Sequence, residues 1–311
     1  MRARWMLALV LLGACAPRDE VCVAPEKLAT QSQGGLRWVS GGSYRLGGPA
    51  LRGEEGPERV VTLPGFWIGQ TEVTNAQFAR FVAATGYKTL AERAPDPRDY
   101  PGVPAARLVP SSLVFVGLAE GGPWQVMPGA DWRHPEGPGS SLSGRMQLPV
   151  VHIGQADALA YARWAGGDLP SEDEWEVAAR GGLVHARYSW GDAAPGGEGG
   201  LKPRANVWQG AFPVEDKGGD GYRARVAPVA CFPPNGYGLY DMAGNVWEWT
   251  RSPIPEAMRA GADRGAHLIK GGSYLCADNY CYRYRPAARS AGPADGGASH
   301  IGFRIVKQAG R

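Results

Sequence analysis

The sequence predicts an irregular, turn-rich α+β fold built as a single domain. Three observations carry that prediction. Of the 311 residues, 46 are glycine and 26 are proline. Together they make up about 23 % of the chain, against roughly 12 % in an average protein. Eleven Trp and 12 Tyr provide the bulk of a packed core, which excludes a disordered chain. Finally, three short stretches show a helical period, two of them behind a cap signal, and brief strand-like runs lie before and between the first two. The composition excludes a helical bundle. The net charge of +3 gives no electrostatic case for nucleic acid.

The N-terminus opens with basic Arg2 and Arg4, runs through the apolar stretch Trp5 to Leu12, and reaches Gly13, Ala14 and Cys15. A basic start, a short apolar core and small residues read as an export signal over 1–14, too short to span a bilayer. Leu12 to Cys15 also resembles a bacterial lipobox, whose cysteine becomes the lipidated first residue. Acyl chains on Cys15 would tether the protein without spanning the membrane. The expected location is that of an exported, membrane-anchored bacterial lipoprotein facing the periplasm or the exterior. Residues 15–35 mix charge, Pro, Gln and Gly and read as a flexible tether. Cys22 lies within it and is expected to do nothing catalytic. Residues 36–311 form the domain, with no second linker and no other bilayer-spanning segment.

Along the domain, Trp38 to Gly47 reads as a strand and turn. Val60 to Leu63 and Phe66 to Gly69 read as a hairpin. Thr74 caps a helix from Asn75 to about Thr85, with Phe78, Phe81 and Val82 on its apolar stripe and Gly86 as its stop. Residues 88–148 are Pro-rich and weakly periodic, interrupted by Leu113 to Val116 and Trp132 to Gly137. Arg133 and His134 read as parts of a hydrogen-bonded turn. A second helix runs from Gln155 to about Ala165 and is expected to pack through Ala156, Leu159, Ala160 and Trp164. Ser171 and Glu174 form a capping box for a third, ending at Arg180 before Gly181 and Gly182. The acids of its first turn suit the helix dipole, so no glycosidase-like acid pair is read there.

The stretch GGSYLCADNYCYRYR, residues 271–285, holds Cys276 and Cys281. In a plain strand, residues five apart point to opposite faces. Bringing both sulfurs to one site requires a turn, and Ala277, Asp278 and Asn279 have turn chemistry. Two thiols held together make a disulfide, a soft-metal site or a pair of small buried hydrophobes. Zinc wants at least three protein ligands, whereas two thiolates suit Cu(I). Gly271 and Gly272 permit close backbone approach, and hydroxyls from Ser273, Tyr274, Tyr280, Tyr282 and Tyr284 crowd the pair. On chemistry alone, a structural disulfide and a functional redox or metal pair stand level. Cys231 reads as a buried free thiol.

Together with Ala287 to Ser290 and the run HIGFR at 300–304, this stretch resembles the signature of the formylglycine-generating enzymes, the sulfatase-modifying factors. Many relatives in the wider superfamily keep the frame without the cysteines. The resemblance implies a fold of the C-type-lectin-like kind and oxidation of a Cys-x-Pro-x-Arg cysteine in unfolded sulfatases to Cα-formylglycine. It implies Cu(I) between Cys276 and Cys281, activation of O2 there and a thiol reductant. Ser273 and Tyr280 would supply hydrogen bonds, and Trp247 a dry wall. It also implies two calcium sites. The first maps onto Asn206, Val207, Asp220 and Tyr222, and the second onto Asp241, Gly244, Val246 and Glu248. Read without the resemblance, both sets are acidic turns.

Pro286 and Ile305 stand where animal members carry disulfide cysteines, so the chain is more similar to bacterial members. His300 takes the place of an Asn found in some members, and residues from Ala94 to Ala106 form an insertion. The expected partner is an unfolded sulfatase chain, with the membrane met only through the anchor and the protein a monomer. The alternative is a non-catalytic, lectin-like scaffold lipoprotein in which Cys276 and Cys281 form an inert bridge. Sulfoxide synthases of the wider superfamily carry an iron-binding His triad, and the five His here form no helical i, i+4 pair.

Overall fold

Local side-chain chemistry fixes the helices of this chain. The computed structural model describes residues 35–48, 52–195, 203–262, 265–294 and 296–309. The export signal, Cys15 and the tether fall outside them. Helix α1 spans Asn75–Thr85. Thr74 Oγ1 accepts from the Gln77 amide at 3.2 Å while the Thr74 amide donates to Gln77 Oε1 at 2.8 Å. Gly86 closes the helix at φ 67°, a left-handed value that suits glycine. Helix α2 spans Gln155–Trp164 and α3 spans Glu172–Arg180. The Ser171–Glu174 capping box forms as expected, and Gly181 ends α3 at φ 58°. No helix among the described residues is long and apolar enough to cross a membrane.

Strands β1 (Leu36–Val39), β4 (Phe66–Gly69) and β11 (Val306–Gln308) form one sheet in the order β1–β4–β11. Strands β2 (Gly42–Leu46) and β3 (Arg59–Leu63) pair in a second. The expected hairpin of β3 with β4 is therefore absent. Each strand instead pairs with a segment from the first 46 residues, and Val39, Leu46, Phe66 and Ile68 thereby share one core with Trp175 of α3. Within the Pro-rich region, β5 (Ser111–Phe115) and β6 (Trp124–Pro128) form an antiparallel hairpin. The sequence reading had marked only the first of them.

The sheet that positions the site has the order β10–β7–β8–β9, with β7 at Trp247–Pro253, β8 at His267–Lys270, β9 at Ser290–Gly292 and β10 at Ile301–Gly302. The first four residues of β7 are all buried, so both of its faces are covered. The main core packs Phe78 and Phe81 of α1 against Tyr161, Trp132, Trp249 and Phe303, and Cys276 and Cys281 sit at its margin.

The face that α2 buries matches the expected one at Leu159 and Ala160, which pack against the core, but is rotated about them. Ala156 and Trp164 are exposed, and Asp157, Ala158, Tyr161 and Ala162 turn inward. Asp157 causes the rotation, because its carboxylate accepts from the amides of Gly154 at 2.9 Å and Leu90 at 3.1 Å and from Tyr87 Oη at 3.0 Å. Cys231 is also not the buried free thiol expected. It is half-buried and disulfide-bonded, and its sulfur accepts from Tyr222 Oη at 3.3 Å.

Candidate active site

Strand β8 delivers Lys270 into the interior, where Nζ lies 3.8 Å from Glu172 and 3.7 Å from Glu176 of α3. Burial pulls its pKa down. The chain then turns at Gly271 (φ 96°) and Gly272 (φ 73°). A Cβ on Gly272 would lie 2.9 Å from the Tyr284 amide nitrogen, so no side chain fits there. Past this point the backbone folds back on itself. The Cys276 amide donates to Ser273 O at 2.9 Å and the Cys281 amide to Ala277 O at 3.2 Å. The tip is held from outside, because the Asn279 side chain both accepts from the Phe212 amide and donates to its carbonyl, each at 3.2 Å.

This fold-back brings the sulfurs together as a Cys276–Cys281 disulfide with Cα atoms 4.6 Å apart. The expected turn between them is present. The Ser273 amide donates to Cys276 Sγ at 3.4 Å, and Ser273 Oγ accepts from the Leu275 amide at 3.3 Å. All five expected site residues, Ser273, Cys276, Tyr280, Cys281 and Trp247, line one cleft of about 310 Å³. Its walls include Leu113 of β5, Trp124 of β6, Ile269 and Ile301. Tyr280 stands at the mouth, 49 % exposed, and stacks on Phe212 with ring centroids 4.0 Å apart. Trp247 is buried at the start of β7, where its amide donates to His300 O at 2.8 Å.

Three further residues of this cleft were not picked out from the sequence. Trp124 lay in a stretch read as loop, and its ring packs against His300 with centroids 4.6 Å apart. His300 was noted only as a departure from some relatives. Its Nδ1 is buried without a partner, and burial, then the neighbouring His152, pushes its pKa down to about 3. It is therefore a neutral imidazole. Arg283 also lines the cleft, and the alternation of Tyr and Arg over 282–285 was its only local signal. Arg133 and His134 occupy a turn in which both amides donate to Asp131 Oδ1, at 2.6 and 3.0 Å.

The first expected calcium set comes together. Asp220 accepts from the amides of Val207 at 3.2 Å and Tyr222 at 2.9 Å, and burial raises its pKa. Asn206 Oδ1 is buried with no partner. In the second set, Gly244 abuts Asn206, since a Cβ there would lie 2.1 Å from Asn206 O. Both oxygens of Glu248 are taken up by Arg304 Nε at 2.7 Å, Arg304 Nη2 at 2.6 Å and Trp175 Nε1 at 2.6 Å. Asp241 accepts from the Ala230 amide at 2.7 Å, and burial lifts its pKa to about 6. Beside it, fully buried Glu72 accepts from no described N–H, and its carboxyl meets that of Asp241 within hydrogen-bonding reach. Its pKa is raised well above normal by burial, then by Asp241 and Glu248. Three carboxyls thus face one guanidinium.

Comparison with known proteins places the chain in a family. The model of the sulfatase-modifying factor enzyme 1-like domain matches residues 23–309. A formylglycine-generating enzyme from Thermomonospora curvata is 47 % identical over 301 residues, covering 91 % of this chain and 95 % of that protein. An inactive Cα-formylglycine-generating enzyme 2 from Mus musculus is 39 % identical over 279 residues, covering 88 % of this chain and 85 % of that one. Among solved structures, PvdO from Pseudomonas aeruginosa superposes with a TM-score of 0.59 over 88 % of this chain and 94 % of that chain, at 24 % identity, which bears on the fold alone. With its cysteine pair set in the matching frame, the chain belongs to the sulfatase-modifying factor family, that of the formylglycine-generating enzymes.

Proposed function

We propose that this protein converts a cysteine in a Cys-x-Pro-x-Arg segment of an unfolded sulfatase to Cα-formylglycine, with O2 and a thiol reductant. The observation that carries the reading is the convergence of Cys276 and Cys281 on one cleft walled by Trp247, Ser273 and Tyr280. Taking –CH2–SH to an aldehyde and sulfide removes two electrons. O2 accepts four, so the reductant supplies the other two.

The donor set fits Cu(I), since two adjacent sulfurs are soft ligands and no third Cys lies among the described residues near them. Thiolates, not a disulfide, would hold the ion, so the pair must first be reduced. Bound copper would supply the oxygen chemistry that side chains lack. The chain's own residues do the rest. Ser273 and Tyr280 offer hydroxyls toward the reacting thiol, while Trp247, Ile269 and Leu113 exclude water.

Calcium is proposed at Asn206, Val207, Asp220 and Tyr222, where the orphaned Asn206 oxygen and the buried Asp220 carboxylate suit a hard cation. At the second set, the carboxyl free of any N–H donor is that of Glu72 beside Asp241, while Glu248 stays with Arg304. Lipidation at Cys15, export, membrane attachment and a monomeric state complete the proposal. Loss of acyl labelling in a Cys15→Ser variant checks the anchor.

Incubation with a Cys-x-Pro-x-Arg peptide, Cu(I), O2 and a thiol, followed by mass spectrometry, is expected to show thiol mass exchanged for aldehyde. A Cys276→Ser variant is expected to form none, and aldehyde at the wild-type rate would refute the role of the pair. The observed disulfide also supports a second reading, an inert bridge in a lectin-like scaffold. Thiol counting after mild reduction, with Cu(I) titration, separates the two.

A further inference from the structure

Arg283 is the one permanently charged side chain lining the cysteine cleft among the described residues. His300, the other titratable base there, is neutral. The guanidinium is held on two of its edges. Nε donates to Glu54 Oε1 at 2.8 Å and Nη1 to Cys281 O at 3.4 Å. Nη2 makes no hydrogen bond to any described residue. Glu54 is itself anchored, because Arg289 Nη1 donates to its carbonyl at 2.7 Å and Arg289 pairs with Glu172 of α3. This brace holds a cation beside the sulfurs.

Stability alone does not explain the placement. Arg283 is 27 % exposed, and an ion pair that still meets solvent adds little to folding. What the arrangement leaves over is the Nη2 group: one of its N–H bonds runs alongside Nε–H on the Glu54 side, and the other points off the outer end of the guanidinium with no partner among the described residues. A polypeptide entering this cleft loses water from its backbone carbonyls, and each needs a replacement donor. A Cys-x-Pro-x-Arg segment carries no required carboxylate, so the acceptors it always brings are those carbonyls.

The geometry points to Arg283 as a substrate-positioning residue: its Nη2 edge, braced by Glu54, donates to a backbone carbonyl flanking the cysteine to be oxidised. This rests on the function proposed above. Arg suits the task because its planar fork stays oriented when two edges are already bonded.

The test uses full-length reduced protein and a Ser-x-Pro-x-Arg peptide, which binds without reacting, in parallel with KM and kcat on the Cys peptide. Arg283→Leu is expected to weaken binding of the serine peptide about tenfold or more, the size of a lost charge-assisted hydrogen bond. The loss should fall mainly on KM. Arg283→Lys should restore part of it, and Glu54→Gln should give an intermediate loss. Replacing the amide flanking the serine by an ester, which weakens its carbonyl as an acceptor, should cost affinity in the wild type but not in Arg283→Leu. A scan over the two flanking amides covers both positions. An Arg283→Leu variant that keeps wild-type melting and binds the serine peptide as tightly overturns the assignment. So does an equal ester penalty in both proteins, which remains readable even if the variant is destabilised. Wild-type protein that neither binds nor oxidises the peptide would instead overturn the function proposed above.

Discussion

Gly272 shows how much of this site depends on a missing side chain. Its left-handed backbone and 2.9 Å clearance to the Tyr284 amide leave room for hydrogen only. Gly272→Ala is expected to cost on the order of 1–3 kcal/mol through strain. The expected outcome is a lower urea midpoint together with slower reoxidation of the reduced Cys276–Cys281 pair. The buried histidines set a second expectation at this scale. Burial pushes His152 down to about 4 and His300 to about 3, from 6.5. In both, the unfolded chain binds the proton more readily. Their contribution to stability is therefore whole above about pH 6.5 and is lost as pH falls toward those values. His152 sits at φ 60°, a conformation that Asn tolerates. His152→Asn should narrow the drop in urea midpoint between pH 7 and pH 5, and an unchanged drop would contradict the shift.

At the scale of elements, what could be read from sequence divides by range. The caps of α1 and α3 were legible because Thr74 with Gln77 and Ser171 with Glu174 act within one turn. Thr74→Ala is expected to cost about 1 kcal/mol, read as a lower melting temperature. The turn that joins the cysteines was legible in Ala277 to Asn279, whereas choosing the pair as a site, with Ser273, Tyr280 and Trp247 around it, rested on the family resemblance. Strand pairing was not legible. The partners of β4 are β1 and β11, and the latter lies more than 200 residues away, so nothing near Phe66 announces it. Of the packed face of α2, Leu159 and Ala160 were legible, and the rest was hidden because an acid, Asp157, turned inward for hydrogen bonds that a hydrophobic pattern does not count. Trp124 and Arg283 joined the cleft through a hairpin and an ion pair formed with distant segments.

For the whole molecule, cation binding is the expected source of order in a fold with short strands. Chelation with EGTA should lower the melting temperature by several degrees, and added calcium should restore it. The Asn206→Ala and Glu72→Gln variants should each respond less to chelation than the wild type. An unchanged melting temperature in EGTA would remove calcium from both places.

The grip of Asn279 on both backbone groups of Phe212 has a mechanical consequence. The peptide tip that carries the sulfurs cannot lift without dragging the 206–222 stretch along, so loosening at one end is transmitted to the other. Amide exchange around Ala277 to Cys281 should quicken when divalent ions are stripped away, long before the protein melts. Asn279 shares that coupling with the Trp208 amide, which donates to Cys276 O at 3.2 Å, and with the stack of Tyr280 on Phe212.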